Sequence, residues 1–292
     1  MKSKITLNDR SKVKESNTMN NDIIRDLESK ARKARIELVR MFGEGKAHHY
    51  GGSLSCIDIL AALYFYKMNY SIANWQDSQR DRFIMGKGHS VPAQYIMLAM
   101  LGIIQFDELK TIKQFGSRLQ GHPDINKTPG IEAPTGSLGQ GLSFANGIAL
   151  AARFDNRKFR LYVMLGDGEL QEGQIWESLM TTNHYKLSNI TIIVDRNKYQ
   201  SQGSIDDLMS IEPLDEKFRS FGWHTSRVDG HDMRAICTAL DEVDSIDKPC
   251  AIIADTIKGK GVSFLENTYK YHNYSLNHEE FERAMRELNG NQ

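Results

Sequence analysis

Four short strand-like runs limit what this chain can become. They lie at 161–165 (LYVML), 190–194 (ITIIV), 223–228 (WHTSRV) and 250–254 (CAIIA). The second is almost wholly β-branched, which suits a strand. Between the first two runs, Ile175, Trp176, Leu179 and Met180 recur at helical spacing. Apolar strands alternating with helices bury both faces of a sheet when the strands are parallel, because each crossover lays a helix on one face. The expected fold class is therefore α/β: a doubly wound, mostly parallel sheet with helices on both faces.

The first half of the chain reads as helical. From Asn21, Ile24, Leu27, Ala31, Ala34, Leu38 and Met41 recur at three- and four-residue steps, and Gly43 and Gly45 supply a stop. A second helix is expected over 55–67, and a third after Pro92, whose ring suits a first helical turn. Residues 1–20 are polar and without periodicity, so a flexible tail is expected there. No Pro/Gly/Ser-rich linker divides the rest, and 21–292 is read as one domain. At 292 residues and 40% hydrophobic, the chain has material for a sizeable core.

Charge and cysteine usage narrow the setting. Lys+Arg and Asp+Glu both number 37, so no net charge pulls the chain toward nucleic acid or an anionic membrane. Cys56, Cys237 and Cys250 are odd in number and widely spaced, which fits buried thiols in a reducing cytoplasm better than a disulfide framework. The N-terminus shows no apolar signal core. The most apolar stretch, 91–106, is broken by Pro92, Gln94 and Gly102 and falls short of the ~20 residues that a membrane span needs. A cytoplasmic enzyme is expected.

The strongest chemical signal is Gly166-Asp167-Gly168 with Asn197 following 30 residues after Asp167. A strand, a crossover helix and a second parallel strand occupy about that length. Asp167 and Asn197 should then sit at the same edge of neighbouring strands, where open α/β sheets bind ligands. A carboxylate and an amide oxygen are hard donors suited to Mg²⁺, with Ca²⁺ as an alternative. Mg²⁺ is commonly shared with a phosphate, and Gly168 lets the backbone approach one closely.

At this point the chain resembles the transketolase family. GDGELQEGQIWE followed by DRNKYQSQG is similar to the family's thiamine diphosphate motif. The likeness runs over 21–288 and includes KAHHYGGSLSCIDILAALYF, DRFIMGKGHSVPAQY, FGSRLQGHPD, TGSLGQGLSFANGIALAA and ADTIKGKGVSFLEN, in the family's order. It corresponds to the N-terminal, diphosphate-binding (PP) half, as in a split transketolase made from two polypeptides.

The resemblance implies thiamine diphosphate and Mg²⁺ as cofactors, with the Asp167 and Asn197 side chains and the Tyr199 carbonyl as metal ligands. It implies cofactor contacts at Gly136, Leu138, Gly166, Asp167, Gly168, Glu177 and Asn197. Glu172 and Glu177 fall where the family places acidic residues between active-site halves, Glu172 helping to link paired cofactors. Four histidines stand at family positions: His49, His89, His122 and His272. By the resemblance, His89 and His122 serve substrate oxygens near the reactive carbon, while His49 and His272 handle protons on donor and acceptor. Imidazoles suit that work because they gain and lose protons near neutrality.

The implied reaction moves a two-carbon ketol unit from a ketose to an aldehyde, both small carbonyl or sugar phosphate substrates. The family's activating glutamate, and most of its phosphate-recognising basic residues, lie in a pyrimidine-binding domain. The expected partner is a C-terminal subunit carrying that domain, in a heterotetramer, with the chain inactive alone. An apolar face around Leu142, Phe144 and Trp176 is expected to meet it. Two departures bear on the substrate. Ala47-His48-His49-Tyr50-Gly51 replaces the family's usual Ser-Gly-His-Pro-Gly, and Asn273-Tyr274 follows His272 where a glycine-containing segment is common. Another thiamine diphosphate enzyme, a ketoacid decarboxylase/dehydrogenase or acyloin-forming ligase, is the alternative enzyme. A non-catalytic regulatory subunit is the other alternative.

Overall fold

Period-2 alternation along the central strands fixes the layers. The computed structural model describes residues 20–290. The tail expected over 1–20 lies, apart from Asn20, outside them. Five strands, β1 (Arg82–Met85), β2 (Leu161–Gly166), β3 (Ile190–Arg196), β4 (His224–Asp229) and β5 (Cys250–Asp255), form one parallel sheet of order β1-β2-β3-β5-β4. In β2, Tyr162 and Met164 enter one core while Leu161, Val163 and Leu165 enter the other.

The strand order also sorts the helices. Right-handed crossovers place helices on opposite faces when the chain reverses direction across the sheet. The steps β1→β2→β3 and β3→β4 run one way. Their crossovers place α5 (Gln140–Phe154), α6 (Gly173–His184), α7 (Ile205–Leu208) and α8 (Leu214–Ser220) on one face; α4 (Val91–Met100), also between β1 and β2, packs on the other. The return step β4→β5 carries α9 (Met233–Glu242) to the other face. There it joins α1 (Asn21–Phe42), α2 (Tyr50–Ser55), α3 (Ile57–Ala62), α4 and α10 (His278–Asn289). The doubly wound expectation holds.

Most helix boundaries follow from local chemistry. The Asn20 side chain accepts from the Asp22 N–H at 2.8 Å to start α1, and Gly43, at φ 63°, ends it. Pro92 sits in the first turn of α4. The helix expected over 55–67 is instead broken at Cys56 and ends in a π-helical turn, Leu63–Lys67. Strand β1 was not foreseen: four residues are too few to display a period. The three cysteines are buried free thiols. Among the described residues no helix is long and apolar enough to cross a membrane.

A buried ion pair fastens α1 to α3. The Arg35 guanidinium forks onto both Asp58 oxygens, at 2.9 and 2.5 Å. Asp58 also meets His231 Nδ1 at 2.7 Å, while His231 Nε2 accepts the Ile257 N–H at 2.8 Å. The second bond leaves the imidazole proton on Nδ1, facing the carboxylate. These partners outweigh burial and hold the Asp58 carboxyl down at about 2. Its stabilising effect is full above the ordinary carboxylate range and lost as pH falls through about 2. Asp58→Ala strands a buried guanidinium and should cost about 3 kcal/mol, read by chemical denaturation at pH 7. Loss below ~0.5 kcal/mol, the range of an ordinary surface substitution, would remove this pair from the stabilising framework.

Candidate active site

The register brings the acid and the amide together. Gly166 pairs with Asp195, so Asp167 and Asn197 follow the ends of adjacent strands. Asp167 is 2% exposed and accepts from the Gly168 N–H at 2.9 Å and the Lys198 N–H at 2.5 Å. Burial, with Asp195 close by, pushes its carboxyl up to about 7. Asn197 Nδ2 donates to Asp195 at 3.2 Å, which leaves Oδ1 as the acceptor; the Tyr199 N–H meets it at 3.2 Å. Asp195 is fully buried and held low despite burial by Lys87, with Ser55 and Thr256 also bonded to it. That hub fixes which way the Asn197 amide faces.

These groups suit a hard cation. The carboxylate, amide oxygen and Tyr199 carbonyl are all oxygen donors. Among the described residues no cluster of three His, Cys, Asp or Glu side chains could hold a metal, so the rest of a shell would come from water and phosphate oxygens. A raised Asp167 and a buried, unpartnered Gln200 Oε1 close to Gly168 both leave unmet demand there. The residues therefore fit Mg²⁺ with a diphosphate.

Four imidazoles converge beside this edge. His49 precedes α2, His89 lies in the turn after β1, and His122 and His272 come from loops. Ring centroids stand 5.0 Å apart for His49–His89, 5.3 Å for His49–His272, 5.2 Å for His89–His272 and 6.4 Å for His49–His122. Burial and then nearby cations lower His49 to about 4 and His272 to about 3. Burial also lowers His89 strongly, and His122. All four are neutral at pH 7, each with one protonated and one unprotonated ring nitrogen.

The glycines set their spacing. Gly136, at φ 149°, lies under the His122 ring: a Cβ there would come 2.9 Å from Cδ2. Leu138 is half-buried in the same loop, and Gly139 packs against the Glu172 Cβ. Glu172 precedes α6 and is exposed; Glu177 is exposed on α6. Leu142 corrects the expected apolar face. It is fully buried in the core, two residues from the exposed Phe144, because those positions lie on different sides of α5. Trp176 is partly buried, its Nε1 donating to the Leu170 carbonyl at 2.9 Å.

Sequence reading missed Lys258, Glu169, Lys87 and Asp195. Lys258 Nζ donates to the Tyr199 carbonyl at 2.8 Å and the Gln200 carbonyl at 3.2 Å, and stands 3.1 Å from His272 Nδ1. Three acceptors match the three ammonium hydrogens, so His272 keeps its own proton on Nε2. Burial brings Lys258 down to about 8. Glu169 accepts from the Gly139 and Gly166 N–H groups, both at 3.0 Å, tying the 136–139 loop to the end of β2. A lysine just past a strand end and ahead of two glycines was the available signal for Lys258.

Parallel strands ending in an acid–amide pair beside converging imidazoles mark a cofactor-diphosphate-binding α/β domain. Residues 28–292 match the family model described as transketolase, thiamine diphosphate binding domain. The chain belongs to the transketolase family. It is 41% identical to an apulose-4-phosphate transketolase subunit of Phocaeicola vulgatus, over 91% of this chain and 94% of that one. It is also 41% identical to the 6-deoxy-6-sulfo-D-fructose transketolase subunit SqwG of a Clostridium species, over 88% and 93%. The transketolase of Leishmania mexicana superposes with a TM-score of 0.84 at 32% identity, covering 90% of this chain and 41% of that chain. The chain thus spans about two-fifths of the length of that transketolase.

Proposed function

We propose that this chain is the diphosphate-binding subunit of a two-subunit transketolase that moves a two-carbon ketol unit from a ketose to an aldehyde. The convergence of four neutral imidazoles beside the Asp167–Asn197 edge carries the reading. Near relatives named as transketolase subunits, matched over nearly their full length, support a separate partner. That partner would carry the pyrimidine-binding domain, in a cytoplasmic heterotetramer. Residues 21–292 would act as one domain.

Asp167, Asn197 and the Tyr199 carbonyl would hold Mg²⁺, with Ca²⁺ as a substitute. The Tyr199 carbonyl has a second lone pair besides the one that Lys258 takes. Gly136, Leu138, Gly166 and Gly168 would shape the backbone around the diphosphate, and the Lys258 ammonium adds positive charge toward it. Glu172 and Glu177 would face the partner. Thiamine diphosphate, when bound, supplies the electron sink for carbon–carbon cleavage. His89 and His122 would bond substrate hydroxyl or carbonyl oxygens near that carbon and assist their proton transfers; His49 would take and return a hydroxyl proton, and His272, with Nδ1 on Lys258, would offer its Nε2 proton.

The test is to mix the chain with its pyrimidine-binding subunit, thiamine diphosphate and Mg²⁺, and to follow a labelled two-carbon unit from a ketose to an aldehyde. Transfer in the mixture, and by neither polypeptide on its own, is expected. Decarboxylation of a 2-oxo acid without ketol transfer would overturn the reading.

A further inference from the structure

Lys113 is exposed beside the histidine cluster, in the loop that leads to His122. Its backbone adopts φ 58°, and its N–H meets the Leu119 carbonyl at 3.0 Å to close that loop. Nζ reaches across to the Ala47 carbonyl at 2.9 Å, two residues before His49. Gly121 lies under the stem, where a Cβ would come 2.9 Å from the Lys113 Cε. The ammonium thus bridges the two segments that carry His49 and His122.

Its charge is uncompensated. Among the described residues no carboxylate forms an ion pair with Lys113, and an ammonium has three donors for the one acceptor at Ala47. The groups that sense it are imidazoles: burial lowers His48, His49 and His122, and the Lys113 charge adds to it in each, with Lys46 acting on His48 in the same sense. His48 is buried and stacked on Phe42 at 4.3 Å, and neither ring nitrogen has a partner. Lys113 therefore presents a cation with spare donors next to neutral rings, with no ion-paired carboxylate among the described residues.

We propose that Lys113 is a specificity residue of the cleft, pairing its ammonium with a tetrahedral oxyanion, phosphate or sulfonate, at the end of the substrate remote from the reacting carbonyl. The inference rests on the transketolase reading for what else occupies the cleft. A lysine acts as a point charge and does not demand bidentate geometry, so one residue serves both oxyanions. A loop staple between residues 113 and 47 is the competing role. It would affect charged and uncharged substrates alike.

The assembled two-subunit enzyme separates these roles. With L-erythrulose as donor, kcat/KM is measured for D-glyceraldehyde 3-phosphate, 3-sulfolactaldehyde and uncharged D-glyceraldehyde. Lys113→Gln should lower the charged-to-uncharged ratio about tenfold, through KM, the size of one charge-assisted hydrogen bond at a rim. Lys113→Arg should restore most of it. A fall for one anion alone supports the site and names its ligand; an unchanged ratio overturns it. If the wild-type assembly transfers no ketol unit, the transketolase reading fails separately. Titration of inorganic phosphate against the His122 imidazole NMR signals then decides. A shift seen in wild type and lost in Lys113→Gln supports the anion site, while no shift, or the same shift in both, overturns it.

Discussion

Asp167→Ala should abolish turnover of the assembled enzyme while leaving the fold in place. The carboxylate is the one anionic side chain proposed to touch the metal. Losing it should weaken joint binding of Mg²⁺ and thiamine diphosphate by about 100-fold or more, since even the outer partners of metal ligands are worth 10–100-fold. The cofactor-free protein responds differently. Asp167 is buried close to Asp195, and its carboxyl is pushed up to about 7. Removing it relieves a cost of burial and repulsion, which offsets the lost bonds from the Gly168 and Lys198 N–H groups. Titration calorimetry of the assembled enzyme gives the affinity, and melting of the isolated chain gives the stability. Unchanged affinity and turnover would sink the metal assignment.

His122→Ala should lower turnover by about 10²-fold with a melting temperature close to wild type. His122 is exposed at the cleft, so deleting its ring opens no cavity in the core. The same ring lies over Gly136 and within 6.4 Å of His49, so it borders the space where a substrate would react. Burial and Lys113 keep it neutral at pH 7, able to take a hydroxyl proton. Loss of one such proton-transfer group costs at least about 10²-fold. Steady-state kinetics at saturating cofactor is the measurement, and full activity would leave His122 with no part in the reaction.

What the sequence disclosed, and what it hid, have physical reasons. The runs 161–165, 190–194 and 250–254 in β2, β3 and β5 are apolar, and that signal needs no partner to be read. β1 is four residues long and takes its register from β2, so it is defined by its neighbour. The acid and amide were legible because their spacing equals one strand-helix-strand unit. The buried Lys87–Asp195 pair was not, because 108 residues separate its members and only the parallel sheet joins them. Leu142 was misjudged because a list of apolar residues does not say which side of a helix each occupies. Lys258 escaped because lysine is ordinarily a surface residue, and its burial is visible only with its three acceptors in place.

Gly51 and Lys258 form a matched pair with a consequence for anyone altering this cleft. A Cβ at residue 51 would stand 2.7 Å from the Lys258 Cε and 2.8 Å from its Cγ. The absent side chain on α2 is the groove in which the lysine stem lies. Enlarging residue 51 by a single methyl group would evict the ammonium from the Tyr199 carbonyl and free His272 to change tautomer. The two positions can be redesigned only together: a larger residue at 51 demands a shorter one at 258, and the positive charge then has to be supplied from elsewhere.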